Sequence, residues 1–148
     1  MIEAYKMGMR KKLSLWMTKH TLRHRMAGIH VWDESGITQQ NQQPTLFVSN
    51  HTALWDGLIA SYLTHQLFHL DPFIMSIATS MHQLGSWLGY FSVSNQTATG
   101  AVEAIRYTLH LLDNHQDSAV WVFPAEIAPF GSALDNLKPG IAAIIQQV

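Results

Sequence analysis

The sequence predicts an α/β fold: a mixed, partly parallel sheet flanked by helices, preceded by an amphipathic N-terminal helix. Three observations predict it. Short apolar runs bounded by turn residues alternate with longer 3.6-periodic segments, the pattern of strands joined by helical crossovers. The 148 residues are 47% hydrophobic and 13% charged, enough for one domain with a sizeable core and unlike a disordered chain. The charge is also divided. Seven of the nine Lys and Arg lie in the first 25 residues against the single acid Glu3, while the remainder carries Arg106 and Lys138 against nine acids. This divides the chain into a basic segment, 1–27, and an acidic body, 28–148.

Residues 2 to about 27 read as a helix whose apolar positions Ile2, Tyr5, Met9, Leu13, Trp16 and Met17 approximate one face. Lys6, Arg10, Lys12 and Lys19 fall largely elsewhere. A basic amphipathic helix carrying tryptophan suits an anionic membrane surface, where each Lys or Arg is worth up to about 1 kcal/mol. The other reading of the same pattern packs the apolar face on the body and leaves the charges in water. Gly28–Trp32 is expected as a short strand, and the polar stretch from Asp33 to Pro44, with Gln39-Gln40-Asn41-Gln42-Gln43, as a loop. Leu46–Ser49 reads as a buried strand, and Trp55 to about Phe68 as a helix with Leu58, Ile59, Tyr62, Leu63 and Leu67 on a broad apolar face. Pro72–Ala78 is a second strand, Met81–Leu88 a short helix and Phe91–Val93 a short strand. Thr99 is placed to cap a helix to Asn114 with Val102, Ile105, Leu109 and Leu112 inward. Ala119–Phe123 is another buried strand, and Pro139 suits the first turn of a last helix through Gln147. A βα alternation that stops directly after a helix leads us to expect a further strand, so the body is expected to be incomplete at its C-terminus.

Several function classes drop out. With no cysteine there is no disulfide, no thiolate zinc site and no cysteine nucleophile. No apolar run approaches bilayer-spanning length, and the N-terminal segment lacks the apolar core and cleavage site of a signal peptide. The serines Ser49, Ser76, Ser92 and Ser94 lack a nucleophile-elbow pattern. Gly85, Gly89 and Gly100 form no phosphate-cradling loop. The spacing of His65 and His69 could hold a metal on one helix face, but no further donors follow except Asp71, so no metal is expected. The basic segment alone does not make a nucleic-acid-binding fold, and no nucleic-acid partner is expected. Trp87 and Trp121 read as core, and Trp55 as either pocket lining or packing.

The chemistry concentrates at Ser49-Asn50-His51-Thr52-Ala53-Leu54-Trp55-Asp56, directly after the apolar run Thr45-Leu46-Phe47-Val48. An imidazole accepts a proton near neutrality, and a carboxylate on its other nitrogen sets the tautomer and stabilises the imidazolium. In one continuous helix, five residues advance roughly 500°, which would leave the two side chains about 140° apart. They meet only if His51 lies in the strand-to-helix loop and Asp56 in the first helical turn. The competing reading makes Asp56 a helix N-cap and His51 a loop residue.

Asn50-His51-x4-Asp56 after a strand resembles the first signature of the PlsC-type glycerolipid acyltransferases, which include 1-acylglycerol-3-phosphate acyltransferases. Gly89-Tyr90-Phe91-Ser92-Val93 is similar to that family's second block, Val122-Phe123-Pro124-Ala125-Glu126 to its third, and Leu137-Lys138-Pro139-Gly140 to its fourth. The four blocks stand in the family's order across residues 28–148. Two departures are visible. Ser94-Asn95 stand where the second block ends in an arginine, and Glu126 comes one position later than in the usual Phe-Pro-Glu-Gly.

The resemblance implies an acyltransferase-like fold and transfer of a fatty acyl group from an acyl thioester to a lysolipid or other lipid-like hydroxyl. His51 would be the general base, oriented by Asp56, with Asn50, Phe123, Pro124, Glu126, Lys138 and Gly140 at the substrate. It implies no cofactor, because the donor, acyl-CoA or acyl carrier protein, is itself a substrate. With the basic helix, it implies a peripheral protein on the cytoplasmic face of a membrane, active in phospholipid biosynthesis. The missing arginine leaves a second class open: an inactive or incomplete member that binds lipid. Arg106, inside a helix, reads as a solvated surface charge, while Lys138, near a helix N-terminus, is placed to help hold an anion.

Overall fold

The structure, a computed structural model, describes residues 4, 8–34, 36, 43–53, 55–76, 85–86, 88–92, 97–124 and 140–147, with residues 8–11 described for their backbone alone. Its elements in chain order are helix α1 (Gly8–Arg25), strand β1 (Thr45–Val48), helix α2 (Asp56–Leu63), which continues as one π-helical turn (Thr64–Phe68), strands β2 (Asp71–Ser76) and β3 (Tyr90–Ser92), helix α3 (Ala98–Asn114), strand β4 (Ser118–Val122) and helix α4 (Gly140–Ile145). The α/β class is as the alternation of patterns implies. The four strands form one sheet in the order β1-β4-β2-β3, and all three pairings are parallel.

Side-chain alternation separates the sheet into two faces. Phe47, Trp121, Ile74 and Tyr90 are successive register partners across the four strands and form one row. Leu46, Val120 and Phe73 form the adjacent row on the opposite face. The second face carries the main core, in which Phe73, Phe91, Val120 and Val122 pack with Ala104, Leu111 and Leu112 of α3 and Ile141 and Ile144 of α4. The first face is covered by α2. Its buried residues, Gly57, Ala60 and Ser61, with Thr64 in the π turn, are all small and repeat at helical spacing. Small side chains let the helix axis approach the sheet, and its larger residues Leu58, Ile59, Tyr62, Leu63 and Leu67 are left half-buried at its sides. The widening to a π turn has a local cause. The Thr64 hydroxyl donates to the Ala60 carbonyl at 2.7 Å and accepts from Trp121 Nε1 at 2.8 Å, which draws this turn onto the sheet. His69 at φ 54° closes it in the left-handed region.

Several expectations are corrected. Gly28–Trp32 is not a strand: the segment has no ladder partner among the described residues and Trp32 is 89% exposed. β1 is an edge strand and only half-buried, with Val48 exposed, because its outer side meets no strand among the described residues. Thr97, not Thr99, caps α3, its hydroxyl accepting from the Gly100 amide at 3.1 Å. Val102 faces solvent, and the inward face of α3 is instead Gly100, Ala104, Thr108, Leu111 and Leu112. On α1 the largest change appears. Ser14, Thr18 and Leu22 are buried, and α1 packs against α2. Leu13, Trp16 and Met17 point outward at 49%, 60% and 37% exposure. The Asp33–Pro44 loop and the Met81–Leu88 helix fall mostly outside the described residues. Gly85 and Ser86 of the latter are helical. Pro139 lies outside them.

Candidate active site

Parallel strands aim their C-terminal ends at one edge of the sheet. Adjacent strands whose following segments lead to opposite faces leave a crevice there. β1 and β4 are such a pair. The chain leaving β1 enters α2 on the first face, and α4, which follows β4 in sequence, packs on the second. The Ser49 amide still donates to the Val122 carbonyl at 3.1 Å, holding the two exits together. Immediately beyond, the His51 and Phe123 rings meet with centroids 5.0 Å apart.

His51 Nδ1 lies 2.9 Å from Asp56 Oδ2. The helix begins at Asp56 and His51 precedes it in the loop, the arrangement the five-residue spacing requires. The same Oδ2 accepts the amides of Thr52 at 2.6 Å and Ala53 at 2.9 Å. The N-cap position is Trp55, with no side-chain cap hydrogen bond, so Asp56 is not the N-cap: from the first helical position its Oδ2 ties down the preceding loop and orients the histidine.

The electrostatics follow from these contacts. Burial raises the Asp56 carboxyl, but the Ala53 amide, the His51 side chain and the Thr52 amide together outweigh it, and its pKa lies below the ordinary 3.8. Asp56 is thus a carboxylate at neutral pH and can only accept. His51 must then donate from Nδ1, which leaves Nε2 with its lone pair free to take a proton. The His51 side chain is 25% exposed, and it can be reached from solvent.

Behind the pair, Gly57 packs against Tyr90 from the far edge of the sheet. A Cβ at residue 57 would overlap the Tyr90 hydroxyl and lie 2.9 Å from its Cζ. Burial pushes the Tyr90 phenol up to about 12.

The remaining predicted site residues divide into three groups. Phe123 is half-buried against His51, and Pro124 is buried next to it. Asn50 is exposed in the same loop, its carbonyl accepting from the Ser49 hydroxyl at 3.1 Å. Gly140 opens α4 on the other face, where, among the described residues, an added Cβ would meet Ile105 Cδ1 at 4.0 Å, and no described contact joins it to His51. Glu126 and Lys138 lie outside the described residues. Arg106 is exposed on α3, and Trp121 stacks on Phe47 with centroids 4.4 Å apart. Among the described residues no group of three His, Asp or Glu side chains could hold a metal. Sequence reasoning missed the two amides and Tyr90. Tyr90 reaches Gly57 through sheet register, which leaves no local trace.

Compared with known proteins, the chain matches a family model described as Acyltransferase over residues 29–148. No curated protein and no solved structure matches it. The family match covers most of the chain and contains the strand, loop and helix that carry the His51–Asp56 pair. The chain belongs to the Acyltransferase family, that of the PlsC-type glycerolipid acyltransferases, and is an acyltransferase.

Proposed function

We propose that the protein transfers a fatty acyl group from an acyl thioester, carried by coenzyme A or acyl carrier protein, to the hydroxyl of a lysolipid or lipid-like alcohol, in phospholipid biosynthesis. The observation that carries this reading is the 2.9 Å pair of His51 Nδ1 and Asp56 Oδ2 at the C-terminal edge of the sheet, with no partner for Nε2 among the described residues. Nε2 removes the acceptor's hydroxyl proton as the oxygen attacks the thioester carbonyl. The C–O bond forms, the tetrahedral intermediate collapses, and the C–S bond breaks. The departing sulfur takes the proton from the His51 imidazolium. No acyl-enzyme forms and no cofactor is used. Proton abstraction by a positioned base contributes typically about 10²–10⁴-fold. Asn50, Phe123 and Pro124 border the reacting atoms in this reading. Glu126, Lys138 and Gly140 are assigned to the substrate on the resemblance alone.

The protein acts as a peripheral one, on the cytoplasmic face of a membrane. The outward apolar stripe Leu13, Trp16 and Met17 of α1, beside the exposed cations Lys12, Lys19 and Arg23, supports this. Such a surface suits an anionic leaflet, and the cytoplasmic leaflet is the anionic one. Among the described residues no helix is long and apolar enough to cross a membrane.

The test is thioester consumption by the chain with a panel of lysolipid and alcohol acceptors, beside His51→Ala. Turnover with one acceptor class that falls by at least about 10²-fold in the variant, with unchanged thermal stability, is the expected result. Turnover that survives the substitution removes His51 from the chemistry.

A further inference from the structure

A cavity of about 400 Å³ lies between the C-terminal half of α1, the segment that follows it, and the far end of α2 with its π turn. Leu22, Met26, Ile29, Leu63 and Leu67 give it an apolar lining. Lys19 and Arg23 complete the α1 side. Both are exposed, and among the described residues neither makes an ion pair and no acidic residue lines the cavity. Tyr62–Leu67 stand six to eleven residues beyond Asp56, so the cavity sits roughly 9–16 Å down the helix axis from the histidine. Neither His51 nor Asp56 lines it.

The position of the cations follows from helical geometry. At about 100° per residue, Lys19 and Arg23 lie on the flank of α1 between the Leu22–Met26 line and the outward Trp16–Met17 stripe. An apolar hollow with two uncompensated cations at one wall complements a molecule with an alkyl chain and an anionic head. The volume is at the low end for small-molecule sites, which suits one chain and not two.

We propose that this cavity binds a single-chain anionic amphiphile, its chain against Leu22, Ile29, Leu63 and Leu67 and its head group between Lys19 and Arg23. A fatty carboxylate and a single-chain phosphate monoester share this chemistry. The site is independent of the role assigned to His51.

Calorimetric titration of the full chain tests it, with dodecyl phosphate and laurate below their micellar concentrations. Dodecyl maltoside and dodecyltrimethylammonium serve as neutral and cationic comparisons. The expected result is saturable binding of one anionic molecule per chain, at least roughly tenfold weaker in K19E/R23E, abolished when Leu63→Trp fills the cavity, and unchanged in His51→Ala. Either ranking of phosphate and carboxylate supports the site and identifies the source of its ligand. Equal binding of the neutral amphiphile, uptake that never saturates, or loss of binding in His51→Ala would overturn it. If Leu63→Trp fails to fold, the exposed charge-reversal pair decides alone.

Discussion

Among the described residues Oδ2 of Asp56 is shared by four donors: His51 Nδ1, the amides of Thr52 and Ala53 and, at 3.5 Å, the Thr52 hydroxyl. That convergence decides what a substitution does there. Asp56→Asn keeps the size but removes the charge that makes the carboxyl an obligate acceptor, and lets the imidazole adopt the other tautomer. We expect turnover to fall on the order of 10³–10⁴-fold, by analogy with orienting carboxylates in triads. A pre-steady-state measurement showing slowed chemistry with little change in acceptor KM checks this.

The same substitution reports on stability. The folded carboxyl has a pKa below its unfolded value, so the ionised form stabilises the fold at and above neutral pH, and that contribution is lost as the pH falls through the folded value. Urea unfolding should find Asp56→Asn less stable by about 1–2 kcal/mol at pH 7, with the two proteins converging as the pH falls below 3.8. For Tyr90 the sign is reversed. Its raised value stabilises the fold below pH 10, and this is lost as the pH rises toward about 12.

Among the elements, α2 shows most directly how packing overrides pattern. A helical wheel gives weight to Leu58, Tyr62 and Leu63, yet the helix seats its small stripe, Gly57-Ala60-Ser61-Thr64, on the sheet. Gly57→Ala is the sharp test, because two effects oppose. Alanine is a better helix former by about 1 kcal/mol, but its Cβ overlaps the Tyr90 ring end. Overpacking typically costs about 1–3 kcal/mol, so net destabilisation is expected, with partial recovery in Gly57→Ala/Tyr90→Leu. A stabilised Gly57→Ala would show that the ring yields.

For α1 the wheel picked out Leu13, Trp16 and Met17, which face outward, and missed the inward line of Ser14, Thr18 and Leu22. Leu22, 3% exposed, is the anchor, and Leu22→Ala should cost about 2–5 kcal/mol. Leu13→Ala should stay within about 0.5 kcal/mol. Thermal denaturation of the two variants separates the inward face from the outward one. The capping of α3 shows a similar limit. The sequence reading put the cap at Thr99, and the backbone, extended at Thr97 with φ −132°, moves it two residues earlier.

For the whole molecule, the two crossovers β1–α2–β2 and β3–α3–β4 run in opposite directions along the sheet. Same-handed crossovers then place α2 and α3 on opposite faces. This makes β1 and β4 the switch point of the sheet and leaves α1 on the α2 side. The membrane reading belongs to this scale. Flotation with anionic vesicles should be retained by the chain, reduced in L13S/W16S, and weakened by salt, each Lys or Arg contributing up to about 1 kcal/mol. Equal flotation with neutral and anionic vesicles would remove the charge argument.

Read alone, the sequence determined the α/β class, the location of β1, α2, β2, α3 and β4 to within a residue or two, and the candidacy of His51 and Asp56. It could do so because periodicity, turn residues and a five-residue spacing are local properties, written in consecutive side chains. The strand order, the edge position of β1, the Tyr90–Gly57 contact, the outward face of α1 and the cavity beside Lys19 and Arg23 were decided only by the tertiary structure. Each depends on which residues distant in the chain compete for the same surface, and burial is settled by that competition, not by any one segment's own hydrophobicity.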